Sequence, residues 1–383
     1  TQNQSQLNAF IGAMNQVNAL FNETQGAGLQ SAISQFFNSF QELSTNPTST
    51  VMRQAVLNAG QNLSIAFNQA SNALTQIRGS LDQSVNQVVG QINGLTSQIA
   101  TLDNQIGTVA STQSGNQLQD QRNQLINQLS ALIGVSVINV NSGSLTITTA
   151  NGAPLVVGNQ SYALTTQPDP ATGSEQVYDQ GSNITTGIQG GQLGGVMEAR
   201  DQGVIPAQSQ LDNLAASIMQ AVNTQHQQGY DLSGAAGGQF FAPFTPTQPG
   251  TNDGAAAQMA VAITDPTKIA ASSSASSPGD NGNALALTAV QNQPIINNQT
   301  AGAFYAGFIG GLGDEVSNAT NQQQTSNLIL QQLQNQRANV SGVSMDEEAA
   351  NLVKYQLAYE ASARVIATVD ALDQTTMNLV NGG

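Results

Sequence analysis

The sequence predicts an elongated α+β protein in which long helices from both chain ends form a coiled-coil bundle around an inserted β-rich domain. Three observations carry this. Apolar residues recur in three- and four-residue steps over residues 49–106 and again over the last hundred residues, the period of a helical seam. Residues 135–166 instead alternate β-branched with polar side chains around NSGS and NGAP, the pattern of short hairpins. With only 8% charged residues and no Cys, the 383-residue chain relies on Gln, Asn, Ser and Thr for solubility and on neither disulfides nor thiolate chemistry.

The elements follow in order. Leu7, Phe10, Ile11, Met14, Val17, Leu20 and Phe21 share a helical period that TQGAG interrupts. A second helix carries Leu29, Ile33, Phe36, Phe37, Phe40 and Leu43 and stops before Pro47. The third covers about residues 49–106, with Leu63, Phe67, Leu81, Val85 and Ile106 on its seam, on the order of 85 Å at helical rise. Its two successive four-residue steps, Ile77 to Leu81 to Val85, form a stutter that unwinds a supercoil locally. Leu118, Leu125, Leu129 and Leu132 continue the seam, with Gly134 as the stop.

After the hairpins come Gly- and Pro-rich segments up to about residue 195, then a helix near 205–228. A strand is expected around Met259 to Ile263, a turn cluster in ASSSASSPGDNGN, and a helix near Ala284. Leu312, Val316, Ala319, Leu330 and Leu333 then hold a helical register that Ser341-Gly342 breaks before the final helix. The expected domains are 1–133, the N-terminal half of a helical rod; 134–284, the inserted β-rich domain; and 285–383, the C-terminal half of the rod, ending in a terminal assembly helix.

Function classes fall away on chemistry. The formal charge of −15, with its Lys and Arg scattered, leaves no phosphate-neutralising surface, so nucleic acid is excluded as a partner. No apolar run is long enough for a transmembrane helix, and no membrane partner is expected. The opening TQNQSQLNAF lacks an initiator Met, a basic n-region and an apolar h-region; either the start has been removed or export uses no cleaved signal.

His226 is the sole histidine, which leaves no second one for HExxH, and no GxSxG elbow occurs. The glycine runs GIQGGQLGG (187–195) and GFIGGLGDE (307–315) lack a Walker lysine and read as turns or close helix packing. SPGDNGN could offer Asp280 and Asn281 to calcium but lacks the acidic spacing of an EF loop. No catalytic residue, metal ligand or cofactor is expected. Asp346, Glu347 and Glu348 look at first like acid-base groups. Ser344 with Glu347 makes a capping box instead, and acids in a first turn favour the helix dipole. Leu352, Gln356, Tyr359, Ala363 and Ile366, with Tyr355 beside them, then form a packing face.

The stretch SGVSMDEEAANLVKYQLAYEASARVI (341–366) resembles the C-terminal signature of the flagellar hook-associated protein 1 family of bacteria. GLQSAISQFFNSFQELSTNPTSTVMRQAVL (28–57) and DQRNQLINQLSALIGV (120–135) are similar to that family's N-terminal helical region. GGQLGGVMEARD, AVNTQHQQGYDLSG and GDNGNALAL resemble further blocks in the same order. The family begins with about one helix more, with a segment of the NISNANTPGYSR kind, so the resemblance implies N-terminal truncation. It also implies a non-enzymatic subunit of the hook-filament junction, extracellular, assembled head to tail into a ring and secreted by the flagellar type III pathway. The implied partners are hook protein, the second junction protein, further copies of itself and an export chaperone on the C-terminal helix, with the isolated chain a monomer. The assembly residues it implies are Ser344, Asp346, Glu347, Glu348, Leu352, Tyr355, Gln356, Tyr359, Ala363 and Ile366.

Two other readings stand beside it. One is another flagellar axial subunit, of filament or cap type. The other is a secreted carbohydrate-active or adhesive module in the β-rich region, which would need clustered acids or aromatics; that region has scattered Asp169, Asp179, Asp253 and Asp265 and few aromatics.

Overall fold

The computed structural model describes residues 1–22, 28–109, 113–139, 145–341 and 345–381. Its packing separates two units, Thr1–Ser326 and Asn327–Gly383.

The first unit is organised along α3. Helix α1 (Gln2–Leu20) buries Phe10, Ala13, Met14 and Val17, and α2 (Leu29–Thr45) buries its phenylalanines on one face. The 60-residue α3 (Thr50–Val109) follows, about 90 Å long at 1.5 Å per residue. Its seam is buried at Leu63, Phe67, Leu74, Leu81, Val85, Val88, Ile92, Ile99 and Ile106. The seam does not face one partner helix for its whole length. α2 covers one stretch, residues from the later helices and strands cover others, and α4 (Gln113–Leu132) packs against α3 as well. A continuous apolar stripe thus serves several neighbours in turn along α3.

Gly134, the expected stop, lies two residues past the end of α4 and does not take a left-handed conformation. Its φ is not positive; its amide donates to the carbonyls of Gln189 and Gly190 at 3.0 and 3.2 Å. A β-carbon there would lie 2.0 Å from the Gln189 oxygen, so only glycine allows this approach.

The expected hairpins form an antiparallel sheet in the order β1 (Val135–Asn139), β2 (Leu145–Thr149), β3 (Pro154–Val157), β4 (Gln160–Ser161). β2 buries Leu145, Ile147 and Thr149 in strict alternation. A second sheet has the order β5 (Leu164–Pro168), β6 (Glu175–Asp179), β7 (Ser182–Asn183); β5 begins at the end of the stretch read as hairpins, whereas β6 and β7 lie in segments expected to be irregular. α5 (Gly191–Glu198) was likewise not expected; it runs through a π-helical turn, Ala199–Val204, into α6 (Ile205–His226). Here glycine permits contact. A β-carbon on Gly195 would sit 2.1 Å from the Gln6 carbonyl oxygen of α1, and one on Gly203 would sit 2.2 Å from Met14 Sδ.

The strand expected at Met259–Ile263 is reduced to a single bridge, Phe241 to Val261. Ala242 donates to Ala260 O and Ala262 to Phe240 O, both at 2.8 Å, and Pro243, with no N–H, stops the ladder. α7 (Ala255–Gln258) precedes the bridge. α8 (Gly282–Ala289) starts where a helix was expected.

α9 (Ala301–Ser341) begins in the first unit. There Tyr305 and Phe308 meet Phe21 edge to face, at centroid distances of 6.5 and 5.1 Å, and Gln323 hydrogen-bonds Asn8 of α1. These contacts join α1 and the residue after it to the first part of α9 within the first unit. The second unit holds the rest of α9 and α10 (Met345–Asn381). Among the described residues, no helix is long and apolar enough to cross a membrane.

A candidate assembly helix and the links that hold the body

The histidine and the acids Asp231 and Asp280 have structural work, whereas the glycines of the run 307–315 meet no neighbour within 4 Å of where a side chain would start. His226 is fully buried. Its Nδ1 donates to Gly238 O at 2.8 Å and its Nε2 accepts from the Ala270 amide at 2.9 Å, an arrangement that requires the neutral ring. Burial lowers its pKa below 6.5, and the charge of Arg53 acts in the same direction. The unfolded chain therefore binds a proton that the folded chain refuses, and stability is lost as pH falls through and below about 6.5. Urea midpoints at pH 7.5 and 5.5 should fall in that order, and His226→Gln should flatten this part of the profile; an equal drop in the variant would assign it to other groups.

Asp231 is the other strongly perturbed group. Burial would raise it, but donation from the Ser233 hydroxyl, the Lys268 ammonium and the Ala235 and Ser233 amides outweighs burial and holds it at about 2. Those bonds close the DLSGA turn. Asp280 accepts from the Ser273 amide and hydroxyl at 2.5 and 2.6 Å, so its oxygen organises the turn it sits in. Among the described residues no three His, Asp or Glu side chains gather as metal ligands would. Asp169 caps its own turn through the Ala171 amide and Asp265 caps Thr267, while Asp179 ends β6 and Asp253 precedes α7.

Scarce arginines supply links that sequence patterns did not reveal. Arg200, 1% exposed, donates to Asp82 of α3 at 2.7 Å, to its neighbour Asp201 at 2.7 Å and to Glu175 O at 2.6 Å. Asp82 also accepts from the Glu175 amide at 3.0 Å. This ties β6, the π turn and α3 together beside the stutter at Leu81. Arg53, fully buried, donates to Pro47 O at 2.7 Å and to Ile269 O at 2.5 Å. Arg122 pairs with buried Asp103, whose second oxygen accepts from the Leu145 amide at 3.1 Å. The signal that could have flagged them was rarity: with only 8 Lys and Arg in the chain, each buried one marks a long-range contact.

α10 is built differently. Every residue from 348 to 378 is exposed, although the stretch is rich in apolar side chains. Leu352 is 59% exposed, Tyr355 74%, Tyr359 78% and Ile366 63%. Glu348, Gln356 and Ala363 are exposed with them. Ser344 lies outside the described residues, as do the side chains of Asp346 and Glu347, so the capping box does too. Exposed aromatic and aliphatic side chains along several helical turns are the mark of a surface built for protein contact.

Comparisons with known proteins fit this division. Residues 14–241 match the family model described as the flagellar hook-associated protein FlgK helical domain. Residues 334–379, which include most of α10, match the model for the flagellar basal body rod FlgEFG protein C-terminal region. The chain is 31% identical to flagellar hook-associated protein 1 of Bacillus subtilis over 96% of its own length and 79% of that protein's. It is 27% identical to that of Escherichia coli, over 93% and 82%. The fold matches the flagellar hook junction protein FlgK of Burkholderia pseudomallei with a TM-score of 0.78 at 22% identity, covering 89% of this chain and 98% of that one. The family match over residues 14–241, more than half of the chain, and 31% identity to a relative across 96% of this chain place the chain in the flagellar hook-associated protein FlgK family.

Proposed function

We propose that this chain is a structural, non-enzymatic subunit of the bacterial flagellum that forms the junction between hook and filament. The observation that carries the proposal is α10: an exposed apolar helix that matches a C-terminal region of flagellar rod proteins, in a chain of the FlgK family. Residues 1–133 and 285–383 serve as the two halves of a rod, and 134–284 as an inserted domain. Subunits assemble head to tail, because only heterologous contacts extend into rings or helices. Hook protein would lie on one side of the ring and the second junction protein on the other. Leu352, Tyr355, Gln356, Tyr359, Ala363 and Ile366 are the assembly residues, with Ser344, Asp346, Glu347 and Glu348 starting their helix. Before assembly an export chaperone covers α10, and export follows the flagellar type III route.

Antibody raised against residues 134–284 and tagged with gold should label one narrow band at the distal end of isolated hooks, where the filament starts. Label along the whole filament would move the chain to the filament class, and label only at the tip to the cap class.

A further inference from the structure

Four glycines stand within seven residues of α9: Gly307, Gly310, Gly311 and Gly313. A helix usually retains glycine for a close approach or for a left-handed backbone. Neither applies here. A β-carbon on any of the four would meet no atom within 4 Å, and none has a positive φ. Gly60, Gly195 and Gly203 show the contrast, since a β-carbon on each would strike a neighbour. Gly79, Gly90, Gly94 and Gly107 of α3 also face open space, but they are spread along much of that helix. What remains in α9 is the effect of glycine on the helix itself. The backbone regains its freedom when the helix opens, so each glycine makes opening about four- to fivefold easier than alanine would.

The support around this segment is uneven. Up to Leu312 the helix is held: Tyr305, Phe308 and Leu312 are buried, the first two against Phe21. Beyond it, Ala319 is the one buried residue between 314 and 326, and the hydrogen bond of Gln323 to Asn8 is exposed. A cleft of about 310 Å³ separates this part of α9 from the π turn and the start of α6, with Gly307, Gly311 and Glu315 on one wall and Gly203 and Pro206 on the other. A helix weakened over one stretch, anchored before it, lightly held after it and bordered by open space can bend there without dismantling the core.

We infer that residues 307–313 are a hinge in α9, at which residues 314–326 swing toward or away from the cleft while the rest of the first unit stays folded. The hinge does not depend on the junction role.

The chain has no cysteine, so spin labels on introduced ones report chosen sites only. Ser209 of α6, Ala303 and Ser317 are exposed and suit this use. Labels at Ser209→Cys and Ser317→Cys span the glycine run, whereas labels at Ser209→Cys and Ala303→Cys stop short of it. In the full chain the first pair should give the broader distance distribution. Gly310→Ala with Gly313→Ala, neither of which lines the cleft, should narrow it to the width of the second pair. Amide hydrogen exchange at 307–316 should slow about twentyfold in the same double variant, the product of the two replacements. Equal widths for the two pairs, or a first pair that the alanines leave as broad, overturn the hinge. Exchange at 307–316 of the unaltered chain as slow as at 88–92, in the buried seam of α3, overturns it as well.

Discussion

Phe240→Ala is expected to lower the free energy of unfolding by about 3–5 kcal/mol, as emptying a close-packed aromatic site does. Phe240 is fully buried, with ring centroids 5.4 Å from Phe36, 5.7 Å from Phe40, 4.9 Å from Phe241 and 5.7 Å from His226. Two of these neighbours, Phe36 and Phe40, lie about 200 residues away in sequence, on α2. The site is also shaped from the α3 side: a β-carbon on Gly60 would come within 2.9 Å of the Phe240 ring, so a helix-weakening residue is retained to let the ring in. Truncation therefore leaves a cavity where α2, α3, the end of α6 and the QFFAPF segment meet, with rigid elements around it that cannot collapse to fill it. Urea unfolding followed by circular dichroism checks the magnitude. Phe244→Ala, a half-buried ring of the same segment, is the control and should cost clearly less. Equal losses for the two would mean that the aromatic cluster is not where α2 and the QFFAPF segment are joined.

The same cluster shows what was legible in the sequence. Phe36, Phe37 and Phe40 announced a buried helix face through spacing alone, and the long period of α3 announced its length. What covers those faces was not announced, because periodicity reports that a side is buried and not what buries it. The stripe on α3 read as a coiled-coil seam, yet its covering changes along the helix from α2 to strands to α4.

The glycine run at 187–195 read as turns or close helix packing, and close packing is the role of Gly195: it and Gly203 lie in helical segments pressed so close to α1 that any side chain would collide with Gln6 or Met14. β6 was missed since EQVYD shows too few β-branched residues to signal a strand on its own; pairing with LTTQP, which begins in the stretch read as hairpins, makes it one. The reverse error at Met259–Ile263 arose because a suitable strand sequence met a partner cut short by Pro243.

For the candidate site, the apolar face of α10 was readable from four- and three-residue spacing, and the exposure of Tyr355, Tyr359 and Ile366 accords with a surface kept for a partner. Its second face was not read, because Val353, Leu357, Val365 and Leu372 look like ordinary helix filler until they are seen to be uncovered. Charge told less than its absence did. A chain with a net charge of −15 and 8 basic residues spends Arg53, Arg122 and Arg200 inside the body and keeps Lys354 and Arg364 on the exposed helix.

The largest functional effect should follow from removing the chain altogether. A filament can grow only from a surface that presents the right contacts, so a missing junction leaves flagellin subunits exported with nothing to join. The decisive measurement is electron microscopy of cells lacking the gene, paired with an assay of flagellin in their growth medium. The junction role predicts complete hooks without filaments, monomeric flagellin in the medium, and filaments restored when the gene is returned. Filaments of normal length on the deletion strain would contradict it.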